Sequence, residues 1–131
     1  MPIENLHIAA TADSPEVDFR FDAHRLSLKG ESYPENAAAF YGDIIKRLDE
    51  YLSSTPPGAS IVVDVALVYF NSSSTKMLFS LFDTLNASAM RGLHVVLNWH
   101  HDVEDDTVQD FGFELRDDFP NLDFHDLPTD P

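Results

Sequence analysis

The fold is decided by the stretch Ile61-Val62-Val63-Asp64-Val65-Ala66-Leu67-Val68-Tyr69-Phe70-Asn71-Ser72-Ser73-Ser74-Thr75-Lys76. Its apolar part, which ends at Phe70, is rich in β-branched residues and typical of a strand covered on both faces in the middle of a sheet. Apolar residues with the three- and four-residue spacing of a buried helical face follow, from Leu78 to Ala89. The stretch therefore predicts a central strand that leads through a hydroxyl-rich turn into a helix.

Downstream of this helix the sequence predicts a second strand. Arg91 and Gly92 form a favourable helix C-terminus, and residues 93–99 are again apolar enough for a buried strand. A strand, a helix and a strand joined by short loops predict a right-handed parallel crossover.

The C-terminal part predicts one further helix and an edge strand. Residues 101–106 form a polar connection, and Phe111 marks a third helix that Gly112 weakens. Residues 122–127 alternate between apolar and polar side chains, as an edge strand does. We expect residues 127–131 to be a frayed tail.

Upstream of the central strand, alternation around Val17 and Phe19 belongs to three short strands in an antiparallel meander. A first helix begins near Ala37, and Ser32 and Glu35 have the spacing of a capping box at its start. The sequence thus predicts a single α/β domain over residues 1–131, with a mixed sheet of about six strands packed with three helices.

The composition excludes several classes of function. The 131 residues include 23 Asp and Glu against 8 Lys and Arg, and the formal charge of -15 opposes binding to nucleic acid and to anionic membranes. The absence of cysteine excludes disulfides and thiolate chemistry. No leader pattern and no apolar run of the ~18 residues of a membrane span occurs. We expect a cytoplasmic protein without a cofactor.

The candidate site is the run of hydroxyls between the central strand and its helix. Unpaired N–H groups and the helix dipole favour an anion at a helix N-terminus, so a phosphate on one of these hydroxyls would be stabilised there. Ser, Thr and Asn are also preferred N-cap residues, and capping alone explains one or two of them. Four consecutive hydroxyls exceed what capping uses, which favours a phosphorylation site.

Other chemistry has weaker support. Ser72 to Ser74 lack the Gly-x-Ser-x-Gly elbow of a hydrolase, and Lys76 lacks the glycine-rich approach of a nucleotide loop. His100, His101 and the acidic residues after them alternate between faces, which favours a solvated acidic loop and no metal site. Trp99 is either a partner anchor or a core aromatic.

Three segments of the chain resemble the SiaC family of bacterial regulatory phosphoproteins. They are Gly30-Glu31-Ser32-Tyr33-Pro34-Glu35-Asn36, Tyr69-Phe70-Asn71-Ser72-Ser73-Ser74-Thr75-Lys76 and Asn98-Trp99-His100-His101. The resemblance spans nearly the whole chain and implies a fold similar to anti-anti-sigma factor (STAS-like) domains.

The resemblance also implies partner switching without catalysis. A dedicated serine/threonine kinase phosphorylates one hydroxyl, and a metal-dependent PP2C-type phosphatase removes the phosphate. The site falls on Ser72, with Ser73 and Thr75 as alternatives because serine replaces the family's usual threonine at the first hydroxyl. The unphosphorylated form binds and activates a diguanylate cyclase, so the implied output is cyclic-di-GMP signalling and biofilm formation.

The resemblance and the local pattern together give a set of site residues. The residues that support the phosphosite are Asn71, Ser73, Ser74 and Lys76. The candidate partner contacts are Ser32, Tyr33, Glu35, Asn36 and Trp99. A constitutive adaptor or oligomer without regulation is the alternative to the phosphorylation switch, and a small hydrolase that uses residues 72–74 is the weaker one.

Overall fold

The computed structural model, which describes residues 3–130, confirms the mixed sheet and its three helices. The strands are β1 (Leu6–Ile8), β2 (Glu16–Arg20), β3 (Arg25–Ser32), β4 (Ser60–Phe70), β5 (His94–Asp102) and β6 (Asp123–Thr129). The helices are α1 (Ala37–Ser54), α2 (Ser72–Met90) and α3 (Asp106–Asp118). A short 3-10 turn, Phe21–Ala23, joins β2 to β3.

The strands lie side by side in the order in which they occur in the chain. β1, β2 and β3 form the predicted antiparallel meander, and β3, β4, β5 and β6 are parallel to one another. Each parallel pair is joined by one helix. Because such crossovers have one hand, a sheet that grows in a single direction receives every crossover helix on the same face.

The sheet is therefore covered on one face, and the prediction that β4 is covered on both was wrong. Alternate residues of β4 from Ile61 to Leu67 are buried, whereas Val62, Asp64 and Ala66 between them are only partly buried. β5 shows the same alternation. We call the uncovered side, which carries Asp64 and His100, the open face.

The start of α1 also differs from the prediction. Ser32 is the last residue of β3, so it cannot be the N-cap of a helix that begins at Ala37. Asn36 is the N-cap, and its Oδ1 accepts a hydrogen bond of 3.0 Å from the Ala39 N–H. The spacing of Ser32 and Glu35 matches a capping box, but the backbone at Ser32 is still part of an extended strand.

β5 and β6 are longer than the sequence predicted. His101 and Asp102 were assigned to a polar loop but belong to β5, and residues 127–129 pair with β5 as the last part of β6. Residues 127–129 therefore do not form a frayed tail, because their backbone pairs with that of β5. Pro131 lies outside the described residues.

Trp99 lies in the core and is not a surface anchor for a partner. Its side chain is fully buried, and its Nε1–H donates a 2.8 Å hydrogen bond to the Val108 carbonyl. A Cβ on Gly112 would lie 2.4 Å from Trp99 Cδ1. The glycine that weakens α3 by its helix propensity is thus required for α3 to approach the indole.

No helix within residues 3–130 is long and apolar enough to cross a membrane.

Candidate functional site at the N-terminus of α2

The hydroxyl run lies at the edge of the sheet where the parallel strands end. Ser32 pairs with Phe70 at the ends of β3 and β4, and the Asn71 N–H donates a 3.1 Å hydrogen bond to the Ser32 carbonyl. This bond continues the β3–β4 ladder one residue beyond β4. It fixes the point at which α2 begins.

Asn71 caps α2 with both its side chain and its backbone. Its Oδ1 accepts a hydrogen bond from the Ser74 N–H at 2.9 Å, and its carbonyl accepts one from the Thr75 N–H at 2.9 Å. The first-turn N–H groups of Ser72 and Ser73 have no acceptor among the described residues. These two donors and the positive end of the helix dipole can therefore stabilise an anion.

The four hydroxyls differ in their accessibility. Ser72 and Ser73 are exposed, whereas Ser74 is fully buried. Thr75 is partly buried, and its Oγ1 donates a 3.1 Å hydrogen bond to the Asn71 carbonyl. Ser72 and Ser73 are thus the hydroxyls that an enzyme can reach without opening the helix.

A buried chain of hydroxyls connects the start of α2 to β3 and α1. Ser32 Oγ donates to Ser74 Oγ at 2.8 Å, and Tyr41 OH lies 2.5 Å from Ser32 Oγ. Because Ser32 has one proton and gives it to Ser74, Tyr41 is the donor in the second bond. Burial raises the pKa of the Tyr41 phenol, an effect that its hydrogen bond with Ser32 only partly offsets. Ser32 is therefore an internal link, and its prediction as a partner contact was wrong.

A shallow groove separates the first turns of α1 and α2. It is lined by Glu35, Asn36, Ser73, Lys76 and Met77, together with the first alanines of α1. Glu35 and Asn36 are exposed there, which leaves both available to a partner. Lys76 is also exposed and follows Ser72 by four residues, the spacing at which helix side chains meet.

A bulge in β4 adds an aromatic pair that the sequence did not reveal. Gly30 pairs with Leu67 but Glu31 pairs with Tyr69, so Val68 is an additional residue in the ladder. Tyr69 and Tyr33 are exposed and meet edge to face with ring centroids 5.7 Å apart. The only sign of the bulge in the sequence is that apolar residues follow one another at the end of β4. A bulge interrupts the period-two alternation of a strand, so the alternation does not reveal it.

The histidines after Trp99 point to opposite sides, as the sequence predicted. On the open face His100 Nε2 lies 3.1 Å from Asp64 Oδ1, and the buried His101 Nε2 lies 2.7 Å from Asp126 Oδ1. Burial opposes ionisation of Asp64, but hydrogen bonds from His100 and Asn98 outweigh it and lower the pKa of Asp64. Within residues 3–130, no group of three or more His, Asp or Glu side chains is arranged so that it could hold a metal ion.

The chain is similar to known proteins over almost its whole length. The model of the SiaC family regulatory phosphoprotein matches residues 8–129. An uncharacterized protein of Pseudomonas aeruginosa strain UCBPP-PA14 is 32% identical over 116 residues, which are 88% of this chain and 90% of that protein.

Two solved structures from Pseudomonas aeruginosa share the fold. SiaC superposes with a TM-score of 0.87 and 29% identity, over 96% of this chain and 99% of that one. A chain in the crystal structure of the diguanylate cyclase SiaD in complex with its activator SiaC gives a TM-score of 0.87 and 31% identity, over 95% and 99%.

Proposed function

Because the chain belongs to the SiaC family of regulatory phosphoproteins, we propose that it is the switch component of a bacterial partner-switching pathway. It has no catalytic activity of its own. In the cytoplasm its unphosphorylated form binds and activates a diguanylate cyclase, which raises cyclic-di-GMP and promotes biofilm formation. A cognate serine/threonine kinase phosphorylates Ser72 and thereby releases the cyclase, and a PP2C-type phosphatase restores the binding form.

The exposure of Ser72 at the first position of α2 carries this proposal. Its hydroxyl is accessible, and the adjacent N–H groups of Ser72 and Ser73 are uncommitted among the described residues. The buried Ser74 and the engaged Thr75 hydroxyl are poorer substrates for a kinase. Ser73 remains the alternative site. The structure of a diguanylate cyclase with its activator, to which this chain is similar, supports the cyclase as the effector.

The phosphate changes the contact surface without refolding the chain. It adds about -1.5 to -2 charges and accepts one to three charge-assisted hydrogen bonds, for which the α2 N-terminus and Lys76 supply the donors. A partner seated against Ser72 must then desolvate a dianion or meet it with a like charge. Either costs several kcal/mol, which is enough to exchange partners.

The test is parallel affinity capture from the native cell extract. The baits are the Ser72→Ala and Ser72→Asp variants of the full chain, and bound proteins are identified by mass spectrometry. Ser73→Ala and Ser73→Asp serve as the matched pair, since Ser73 is also exposed in the same helical turn. Phosphopeptide mapping of the wild-type chain from the same cells assigns the modified hydroxyl.

We expect Ser72→Ala to retain a diguanylate cyclase that Ser72→Asp loses, and the Ser73 pair to retain it equally. A cyclase that distinguishes only the Ser73 variants moves the site to Ser73. Identical partner sets for all four baits refute the switch and leave a constitutive adaptor in which Ser72 contributes only to the helix N-terminus.

A further inference from the structure

We propose that the effector docks on a surface formed by Tyr33, Val68 and Tyr69, and that it does so with a segment that carries a large apolar side chain and a neighbouring Lys or Arg. We call these three residues the tyrosine patch. The inference rests on the proposed function, because it specifies where on the switch protein the effector binds and by what chemistry.

The tyrosine patch is the part of the sheet edge where large apolar side chains are exposed together. The exposed fractions are 39% for Tyr33, 64% for Val68 and 51% for Tyr69. The bulge at Val68 accounts for this, because it shifts Tyr69 into register with Glu31 and places Phe70, the next residue, against Trp99 in the core. Paired, exposed tyrosines with rigid side chains are typical anchors of protein interfaces.

An acidic pocket beside Val68 indicates the charge of the partner. The pocket has a volume of about 370 Å³, and the apolar part of its lining includes Ala66, Val68 and Val108. The polar part of the lining includes the carboxylates of Asp102, Asp105 and Asp130, together with His100 and His101. Asp102 Oδ1 accepts a hydrogen bond from the Glu104 N–H and Asp105 Oδ1 accepts one from the Val108 N–H. Their Oδ2 atoms have no donor among the described residues.

This pocket fits the side chain of a partner's Lys or Arg. The aliphatic part of such a side chain can pack on the apolar lining while its cationic head reaches the carboxylates. Glu31 and Glu35 are exposed and lie two positions before and after Tyr33 in the chain, so further carboxylates are close to the patch. A chain with a formal charge of -15 also attracts a basic segment at long range, which raises the association rate.

The patch is close enough to Ser72 for phosphorylation to affect it. Ser72 follows Tyr69 by three positions in the chain, so their Cα atoms are at most ~11 Å apart. An effector that packs on Tyr69 therefore has Ser72 at the margin of its contact. A phosphate on Ser72 would lose part of its hydration when the effector binds. The acidic pocket lies along β4 on the other side of Tyr69, so the two charge effects act at opposite margins of the same contact.

The experiment measures the affinity of the full chain for the purified diguanylate cyclase that the Ser72→Ala bait retains. Tyr69→Ala and Tyr33→Ala remove the anchors, and Tyr69→Phe restores the ring. Met90→Ala is the matched control, because Met90 is 69% exposed at the opposite end of α2. The pair Asp105→Asn and Asp130→Asn removes two charges while Asn preserves the cap of α3. Its control is the pair Asp117→Asn and Asp118→Asn.

We expect Tyr69→Ala to weaken binding about 30-fold and Tyr69→Phe to weaken it less than about threefold, as for a ring at an interface hot spot. The double variant Asp105→Asn and Asp130→Asn should bind about fivefold more weakly than wild type at low salt, with a smaller loss at high salt. Both controls, Met90→Ala and the double variant Asp117→Asn and Asp118→Asn, should bind like wild type. Unchanged binding by Tyr69→Ala and Tyr33→Ala overturns the docking surface alone. A wild-type chain that binds no cyclase overturns the proposed function as well.

Discussion

Replacing Gly112 by alanine should destabilise the protein, although alanine is the better helix former. The new Cβ would lie 2.4 Å from Trp99 Cδ1 and 2.6 Å from Trp99 Nε1, distances at which the indole or α3 must move. The indole has little room to move, because it is fully buried and packed near Phe111 with ring centroids 5.7 Å apart. The helix must therefore shift away from the sheet.

The magnitude follows from three effects. Overpacking of a close-packed core costs about 1–3 kcal/mol. Loss of the hydrogen bond from Trp99 Nε1 to the Val108 carbonyl adds about 1 kcal/mol. The higher helix propensity of alanine than of glycine offsets about 1 kcal/mol of this cost. The net destabilisation is about 2 kcal/mol, which lowers the Tm of a domain of this size by roughly 6–10 °C.

Gly42→Ala is the matched control. Gly42 also lies inside a helix, but it is exposed and a Cβ there has nothing within 4 Å. The same substitution should therefore stabilise α1 by about 0.5–1 kcal/mol. Urea unfolding followed by the fluorescence of Trp99, the single tryptophan, and by circular dichroism measures both variants. Equal stability of Gly112→Ala and Gly42→Ala would refute the argument that α3 packs on Trp99 through its glycine.

Three further predictions test the site and the open face. Ser74→Ala should cost about 1–3 kcal/mol by thermal unfolding, because it leaves the buried Ser32 hydroxyl without its acceptor, whereas the exposed Ser73→Ala should change stability by less than about 0.5 kcal/mol. Asn71→Ala should cost about 1 kcal/mol and Asn71→Asp much less in the same assay, since only alanine removes the cap of α2. The lowered pKa of Asp64 means that its ionised form stabilises the fold above the unfolded pKa of about 3.9 and that this stabilisation is lost as the pH falls through the lower folded value. Asp64→Asn should accordingly lose less stability than wild type between about pH 5 and pH 2 in urea titrations. An equal loss in the two proteins would contradict a lowered pKa of Asp64 in the folded state.

The hydrophobic pattern determined which elements exist and in what order. Period-two alternation around Val17 and Phe19, helical spacing after Ala37 and the apolar run from Ile61 are local signals, and each gave the element that the structure contains. The hydroxyl run between β4 and α2 was also visible, because a strand followed directly by a helix places these residues at a helix N-terminus.

The sequence could not show which hydroxyls are accessible. Ser72, Ser73 and Ser74 are identical residues in a row, but Ser74 alone points into the interior and contacts Ser32, which is 42 positions away in the chain. The cap of α1 was misassigned for a related reason. Whether Ser32 caps a helix or ends a strand depends on its pairing with Phe70, a contact made only when β3 and β4 meet.

Tertiary structure alone decided the exposed surfaces and the close contacts. An apolar run such as that of β4 indicates burial without saying how many faces are covered, and here the single direction of sheet growth leaves one face open. The bulge that exposes Tyr69 and the approach of α3 to Trp99 through Gly112 likewise depend on residues brought together from distant parts of the chain. Local periodicity reports what each segment buries, whereas the partner that covers it is fixed only when the segments pack.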